Sequence, residues 1–211
     1  MPKELEQRSY SFDIAADENE GHRITGRPIV YNSRTDLGWF DEIIEPGALN
    51  EADLKDVRFL VNHDTRKIPL ARSRRNNGNS TMKLSPNENG LDIDVSLDTE
   101  NNSEARALYS AVQRGDISGM SFMFSVDDEE WEDLESDHPT RHIRKIGSVV
   151  EVSAVTFPAY ESTEINARSK EALDNARSAV ETARQQRAKS VDTDLELAKA
   201  KFNFKLKLGG N

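Results

Sequence analysis

A single hydroxyl group lies within the apolar run Gly119–Phe124, whose sequence is Gly-Met-Ser-Phe-Met-Phe. Such a run is typical of a largely buried strand, where a polar group needs a hydrogen-bond partner. Ser121 is therefore either a core serine bonded to the backbone, which is the commoner case, or a nucleophile. A serine attacks a carbonyl only when a neighbouring base takes its proton and a third group orients that base. The second interpretation predicts a base and an acid elsewhere in the chain.

His63 is the strongest candidate for the base among the four histidines of the chain. It lies in Asn62-His63-Asp64, where the apolar run 57–61 gives way to polar residues. Side chains at such strand ends often form open functional sites. The other three histidines are weaker candidates: the spacing of the last two resembles a metal pair, but they flank a proline and lack a third well-placed ligand. They are His22, His138 and His142.

Three carboxylates compete for the role of the orienting acid. Glu151 enters the otherwise apolar run 149–155, where an unpaired carboxylate is costly, although a strand-edge position facing water would also explain it. Asp64 is adjacent to His63 and would point to the opposite face of a strand. Asp116 is the third rival. The residue pattern alone leaves the choice between these carboxylates open.

The segment Asp127–Asp137 contains eight carboxylates in eleven positions. A run of this kind is typical of a solvated hairpin tip or surface loop. It lacks the ligand spacing and the glycine of an EF-hand loop, so it does not indicate a calcium site of that type. We expect neither a metal nor a cofactor in this protein.

The elements that must position these residues are mostly strands. Period-two alternation, best seen where four apolar residues alternate with polar ones in 91–97, predicts half-buried antiparallel strands. A helix is predicted from Ser103, as its N-cap, to Arg114. The pattern therefore favours a mainly β, α+β domain with flanking helices. The strand patterns fall at 8–14, 23–31, 57–61, 82–84, 91–97, 119–124 and 143–155.

Composition and charge narrow the function classes. The chain has 211 residues, enough for one good-sized domain plus an appendage, and no cysteine, which excludes disulfides and a cysteine nucleophile. Residues 1–166 hold 18 basic and 32 acidic residues, and this acidic balance argues against nucleic acid as the main ligand. No apolar run approaches the length of a membrane span, so we expect a soluble protein with no membrane partner.

Residues 167–211 differ in composition from the rest of the chain. They hold 10 basic and 6 acidic residues and show an alanine-rich helical pattern. We interpret residues 1–166 as the domain and 167–211 as a helical, basic tail. Residues 202–208 alternate between apolar and polar types, which predicts a short strand at the end of that tail.

Eight short motifs resemble, in order, the prohead (capsid maturation) proteases of tailed phages, and together they span about residues 8–166. No single motif is specific to this family, but the occurrence of all eight in the same order is. They are Gly26 with Pro28, Glu45-Pro46-Gly47-Ala48, Asn62-His63-Asp64, Leu70-Ala71-Arg72, Asn89-Gly90-Leu91, Arg114-Gly115, Ile117–Phe122, and Glu151-Val152-Ser153 through Pro158-Ala159-Tyr160.

The resemblance implies a serine endopeptidase related to the herpesvirus assemblin proteases, folded as a small closed β-barrel wrapped by helices. In the family, the histidine of the Asn-His-Asp motif is the base and the serine of the Met-Ser-Phe motif is the nucleophile, which correspond to His63 and Ser121. The third member of the herpesvirus triad is a second histidine. Glu151 takes that place here, so we expect a carboxylate in the role.

The resemblance also implies a biological setting. Such an enzyme acts inside the immature capsid, or prohead, in the host cytoplasm, where it removes the scaffolding part of the capsid protein and cleaves itself. Its partners would be the capsid protein and other copies of the chain. Two other classes remain to be distinguished. One is a non-catalytic scaffold protein of the same fold, and the other is a metal-dependent hydrolase that uses the histidines and the acidic run.

Overall fold

The computed structural model of the chain describes residues 5–10, 14–17, 21–74, 79–156 and 170–208. Within those residues the chain forms eleven strands and two helices. The strands are β1 Glu6–Tyr10, β2 Ile14–Asp17, β3 Arg23–Val30, β4 Arg34–Asp36, β5 Asp41–Ile44, β6 Asp56–Val61, β7 Ala71–Arg74, β8 Met82–Asn87, β9 Gly90–Ser96, β10 Gly119–Glu132 and β11 Thr140–Val155. The helices are α1 Ser103–Gln113 and α2 Lys170–Leu208.

The larger sheet is built around the long antiparallel hairpin of β10 and β11. Its strand order is β1-β10-β11-β5-β4. The first part of β11 pairs in parallel with β5, and its last part, Glu151–Ala154, pairs in parallel with β6, which in turn pairs with β7. The strands β10, β11 and β6 therefore lie side by side near the end of β11.

The smaller sheet is antiparallel, with the order β2-β3-β9-β8. Its strand β9 confirms the alternation seen in the sequence, because its apolar residues are buried while Asp92 and Asp94 form ion pairs with Arg27 and Arg23 of β3. One hydrophobic core joins both sheets and α1. Burial of this core is the main stabilising contribution to the fold.

The mainly β architecture with flanking helices is confirmed, but the expected closed β-barrel is wrong. Among the described residues neither sheet closes: the larger one ends in β1, β4 and β7, and the smaller one in β2 and β8. Register shifts between Met123 and Glu129 interrupt the regular pairing of the long hairpin. The two ends of β11 take different neighbours, so the sheet branches and its edge strands do not meet.

Helix α1 confirms the sequence prediction apart from its cap. The N-cap is Asn102, one residue before the expected Ser103, and its side-chain oxygen accepts hydrogen bonds from the backbone N–H groups of Glu104 and Ala105. Asparagine and serine are both favourable N-cap residues, so the sequence Asn102-Ser103 offers two possible caps, and the helix uses the first. The face of the helix that meets the core carries Ala105, Leu108, Tyr109 and Val112.

Helix α2 packs against the acidic turn between β10 and β11. Val180 is buried against Phe40 and Leu134, and Arg184 donates to the carbonyl oxygens of Leu134 at 3.0 Å and Ser136 at 2.7 Å. The basic helix thus contacts the acidic part of its own chain.

The expected strand at residues 202–208 is wrong, because helix α2 continues to Leu208. Lysine, leucine and alanine are good helix formers, and extension of an existing helix outweighs a short alternating pattern. The boundary proposed between residues 166 and 167 and the motif Pro158-Ala159-Tyr160 lie outside the described residues. Among the helices that the structure describes, neither is long and apolar enough to cross a membrane.

Candidate active site

His63 lies at a sharp corner directly after β6. Asn62 and His63 have φ angles of 51° and 58°, a left-handed conformation that is uncommon for residues other than glycine. The corner is fixed to the end of β11: the Asn62 side chain exchanges hydrogen bonds of 3.0 Å with the backbone N–H and the hydroxyl of Thr156. Strained residues of this kind concentrate at functional sites. The corner directs the imidazole of His63 back over the sheet.

Ser121 lies on β10, between β1 and β11. Its Cα is paired with Ser9 on one side and with Ser153 on the other. The neighbours Met120 and Phe122 are fully buried, as the apolar run predicted, and Ser121 is fully buried too. Its Oγ lies 2.6 Å from Nε2 of His63. The serine and the strongest candidate base are therefore within hydrogen-bond distance.

Glu151 completes the group from the central strand β11. Its side chain is 3% exposed, and its Oε1 forms a hydrogen bond with Nδ1 of His63. Because β10, β11 and β6 are neighbours, residues distant in sequence meet over one short stretch of the sheet. The structure thus brings together all three residues that the sequence predicted for a catalytic group, in the order Ser121, His63, Glu151.

This arrangement is suited to general-base chemistry. A neutral imidazole has one donor nitrogen and one acceptor nitrogen. A proton on Nδ1 of His63, donated to Glu151, leaves Nε2 free to accept the proton of Ser121. The buried carboxylate also stabilises the imidazolium that forms when the proton moves. The geometry therefore matches the requirements of an activated serine nucleophile.

The chain has a family identity that agrees with this geometry. Residues 10–178 match the family described as caudovirus prohead serine protease. The chain belongs to this family. The prohead protease of Enterobacteria phage HK97 is 32% identical to it over 146 residues, which cover 67% of this chain and 58% of that protein. The match therefore spans less than two thirds of the relative's length.

The resemblance inferred from the eight motifs is confirmed at the level of this prohead protease family. No solved structure is significantly similar to the chain. The relation to the herpesvirus assemblins therefore stays a prediction from the sequence motifs.

The hydroxyl of Ser121 has a second neighbour in this member of the prohead protease family. Its Oγ also lies 2.6 Å from the carbonyl oxygen of Arg8 on β1. A hydroxyl carries one proton, so Ser121 donates either to this carbonyl or to His63, but not to both. Ser121 is fully buried, so its hydroxyl is closed off from solvent in this structure.

Strand β1 is held beside Ser121 by buried charges. The Arg8 guanidinium bonds to both oxygens of Glu42, and Glu6 bonds to Arg141. Burial alone would lower the pKa of Arg8, but the charge and hydrogen bond of Glu42 raise it above its usual value. Burial likewise tends to raise the pKa of Glu6, but the hydrogen bond from Arg141 and the charges of both arginines lower it to about 2. Arg8 and Glu6 are therefore both ionised at neutral pH.

The two rival carboxylates pair with arginines. Asp64 accepts from the side chain of Arg66 at 3.1 Å, and this hydrogen bond lowers the pKa of Asp64. Asp116 accepts from Arg114 at 2.6 Å and 2.9 Å. The structure places Glu151, and not these residues, at the ring of His63.

The remaining histidines lie in other surroundings. Nε2 of His138 is 3.2 Å from Asp41 and 3.7 Å from Asp36, and the ligand atoms of these three lie within 4.8 Å of one another, close enough to hold an ion. Two of the three are exposed, and Asp41 already pairs with Arg34. His142 lies between Glu45, which follows β5, and Glu132 of β10, and His22 packs edge-on against a tyrosine.

Sequence reasoning missed three contributors to the site. The carbonyl of Arg8 is a backbone group, so no side-chain pattern identifies it. Thr156 fixes the corner of His63 only through pairing with Asn62, which is distant in sequence. Ser153 could have been found, because it lies two residues after Glu151, and alternate residues of a strand share a face.

Proposed function

We propose that this chain is a serine endopeptidase of phage prohead maturation, in which Ser121 is the nucleophile, His63 the base and Glu151 the orienting acid. The observation that carries the proposal is the 2.6 Å contact between Oγ of Ser121 and Nε2 of His63, with the ring held on its other side by a buried carboxylate. Membership of the caudovirus prohead serine protease family supports the same chemistry.

The proposed reaction is a two-step acyl transfer. His63 takes the proton of the Ser121 hydroxyl as the oxygen attacks the substrate's peptide carbonyl. The imidazolium, stabilised by Glu151, then gives that proton to the leaving amine, and the C–N bond breaks to leave an ester on Ser121. A water molecule, deprotonated by His63, hydrolyses the ester and releases the new carboxyl end. The oxygen of Ser121 takes its proton back.

The proposed substrate is the scaffolding part of the capsid protein, cleaved inside the prohead in the host cytoplasm. The name of the HK97 relative, prohead protease, supports the prohead as the place of cleavage. We include other copies of the chain among its partners, both by self-association and as substrates of self-cleavage. The reaction as proposed uses no cofactor, metal, nucleic acid or membrane.

The domain division belongs to the same proposal: residues 1–166 would be the catalytic domain and 167–211 a removable tail. The family match ends at residue 178, near the start of α2. Residues 185–193 of α2 are all exposed to solvent. Mass spectrometry of wild type beside Ser121→Ala tests self-cleavage. Wild type alone should be truncated near residues 160–190, and the same truncation in both proteins would contradict self-cleavage.

A non-catalytic scaffold role is the second candidate function. The observation that favours it is the complete burial of Ser121 together with its hydrogen bond to the carbonyl of Arg8, as expected of a structural core serine. In that case the loss of the hydroxyl would alter stability and leave capsid-protein processing unchanged.

Co-expression with the capsid protein of the same phage separates the two candidates. Wild type should shorten the capsid protein, whereas Ser121→Ala should leave it at full length while expressing at a similar level. Capsid protein that stays at full length with both variants, or that is shortened equally with both, would contradict the protease proposal. Ser125→Ala is a matched control, because Ser125 is a buried serine on the same strand that pairs with Ser148.

A further inference from the structure

Ser153 is a fully buried serine on β11 whose hydroxyl touches two of the three proposed catalytic residues. Its Oγ donates to Oε2 of Glu151 at 2.7 Å. The same oxygen accepts a hydrogen bond from the backbone N–H of His63 at 3.1 Å. The hydroxyl thus connects the acid to the main chain of the base.

Both hydrogen bonds of this hydroxyl are defined by its chemistry. A serine hydroxyl has one proton to donate, and an ionised carboxylate only accepts, so the proton of Ser153 is directed to Glu151. A lone pair of the same oxygen is then left for the N–H of His63. Neither bond can be reversed, so the orientation of the hydroxyl is fixed.

The contacts of Ser153 restrict the two groups that must be precisely placed. Glu151 uses Oε1 for the ring of His63 and Oε2 for Ser153, so rotation of its carboxylate would break one of the two bonds. The N–H of His63 belongs to a residue in the left-handed conformation, with a φ of 58°, and the hydroxyl of Ser153 accepts its hydrogen bond. Loss of the hydroxyl would free both groups.

We propose that Ser153 is a positioning residue of the site, which holds the carboxylate of Glu151 and the backbone of His63 in the geometry for proton transfer. The inference rests on the proposed function, because it assigns Ser153 a role in that reaction. Ser153 touches neither the substrate carbonyl nor the transferred proton. Its effect on the reaction is transmitted through Glu151 and His63.

The test compares Ser153→Ala with Ser125→Ala. Ser125 is also a buried serine, but its hydroxyl contacts the hydroxyl of Ser148 and none of the proposed catalytic residues. Ser153→Ala should lower kcat for capsid-protein cleavage by about 10- to 100-fold, the effect of losing a hydrogen bond to a charged group. KM should change by less than about twofold, since no substrate contact is removed. Ser125→Ala should retain the wild-type kcat.

A spectroscopic readout distinguishes positioning from a merely structural role. The Nδ1–H proton of His63, donated to a carboxylate, should give a far-downfield proton resonance that is missing from His63→Gln. Ser153→Ala should shift or broaden this resonance, while Ser125→Ala leaves it unchanged. Ser153→Thr keeps a hydroxyl and should restore both the resonance and most of kcat, which provides a test if Ser153→Ala fails to fold.

Either of two results for Ser153→Ala would overturn the inference: a kcat equal to that of Ser125→Ala, or a lowered kcat with an unchanged His63 resonance. A folded Ser153→Thr that has lost both readouts would also contradict it. Failure of the proposed function looks different, because wild type and Ser121→Ala would then cleave equally or not at all. The resonance alone would in that case decide whether Ser153 positions His63.

Discussion

Replacement of Glu151 by glutamine separates the charge of the orienting acid from its shape. Glutamine has nearly the same size, so the buried position between Met123 and Arg58 in the paired strands stays filled. What is lost is the negative charge beside His63. The amide can also present an N–H donor to Nδ1, which would place the proton on the wrong ring nitrogen.

The expected loss of activity follows from the burial of the carboxylate. Glu151 is 3% exposed and His63 is 12% exposed, so the effective dielectric constant is well below that of water. Two unit charges about 4 Å apart interact by about 4 kcal/mol at an effective dielectric constant of about 20. Since each 1.36 kcal/mol corresponds to a factor of ten in rate, Glu151→Gln should lower kcat by about a thousandfold.

The assay is the single-turnover rate of capsid-protein cleavage, measured beside the thermal stability of each variant. Asp64→Asn and Asp116→Asn are matched controls, because each removes a carboxylate that pairs with an exposed arginine. Both should cleave at the wild-type rate. A wild-type rate in Glu151→Gln, or a large loss in Asp64→Asn, would refute the assignment of Glu151.

Two further predictions concern stability. Glu6 has a pKa of about 2 in the folded protein against 4.5 for the unperturbed group, so it contributes about 3 kcal/mol above pH 4.5, and this contribution should be lost as the pH falls from 4.5 to 2. Urea unfolding should show about 2 kcal/mol of this loss between pH 7 and pH 3, and Glu6→Gln should reduce the pH dependence; an unchanged dependence would contradict the ion-pair account. Gly90→Ala should destabilise the fold by at least about 3 kcal/mol, because a Cβ at its φ of 143° would overlap the carbonyl oxygen of Ile29. Gly21→Ala, with a φ of 77° and open space around it, should cost only about 1 kcal/mol, and equal losses in the two variants would contradict the close approach at Gly90.

Local patterns predicted helix α1 and most of the longer strands, but not the short strands β4, β5 and β7. The alternation in 91–97 gave strand β9, and the apolar run around Ser121 gave the buried start of β10. Each of these patterns is decided by which side chains face the core, and that information lies within a few neighbouring residues. The same reasoning failed at residues 202–208, where an existing helix determined the conformation of a short alternating segment.

The arrangement of the sheets could not be predicted from such patterns. The choice of β5 and then β6 as neighbours of β11 depends on pairing between segments about 90 to 100 residues apart. The closed barrel was expected from the family resemblance. The structure has instead an open sheet that branches at β11, where β5 and β6 pair with different parts of the strand. The contact of Ser121 with Arg8 could not be predicted either, because it depends on the register of β1 against β10, two strands that are distant in sequence.

The three proposed catalytic residues were predicted because their types are unusual for their positions. Ser121 and Glu151 are polar residues within apolar runs. His63 lies just after the end of the apolar run 57–61. Burial of such groups is costly without a partner, so their contact with each other explains why they are tolerated. Their distances could not be predicted, because a strand reveals which face a side chain occupies but not which strand lies beside it.

The most direct test of the central claim uses the absence of cysteine from the chain. The thiol introduced by Ser121→Cys is then the only one in the protein, and alkylation followed by removal of the reagent modifies that position alone. The account predicts that Ser121→Cys cleaves the capsid protein slowly, that alkylation abolishes this cleavage, and that wild type treated in parallel is unaffected. Cleavage that survives in Ser121→Cys after intact-mass measurement has shown complete alkylation, or that persists in Ser121→Ala, would show that Ser121 is not the nucleophile.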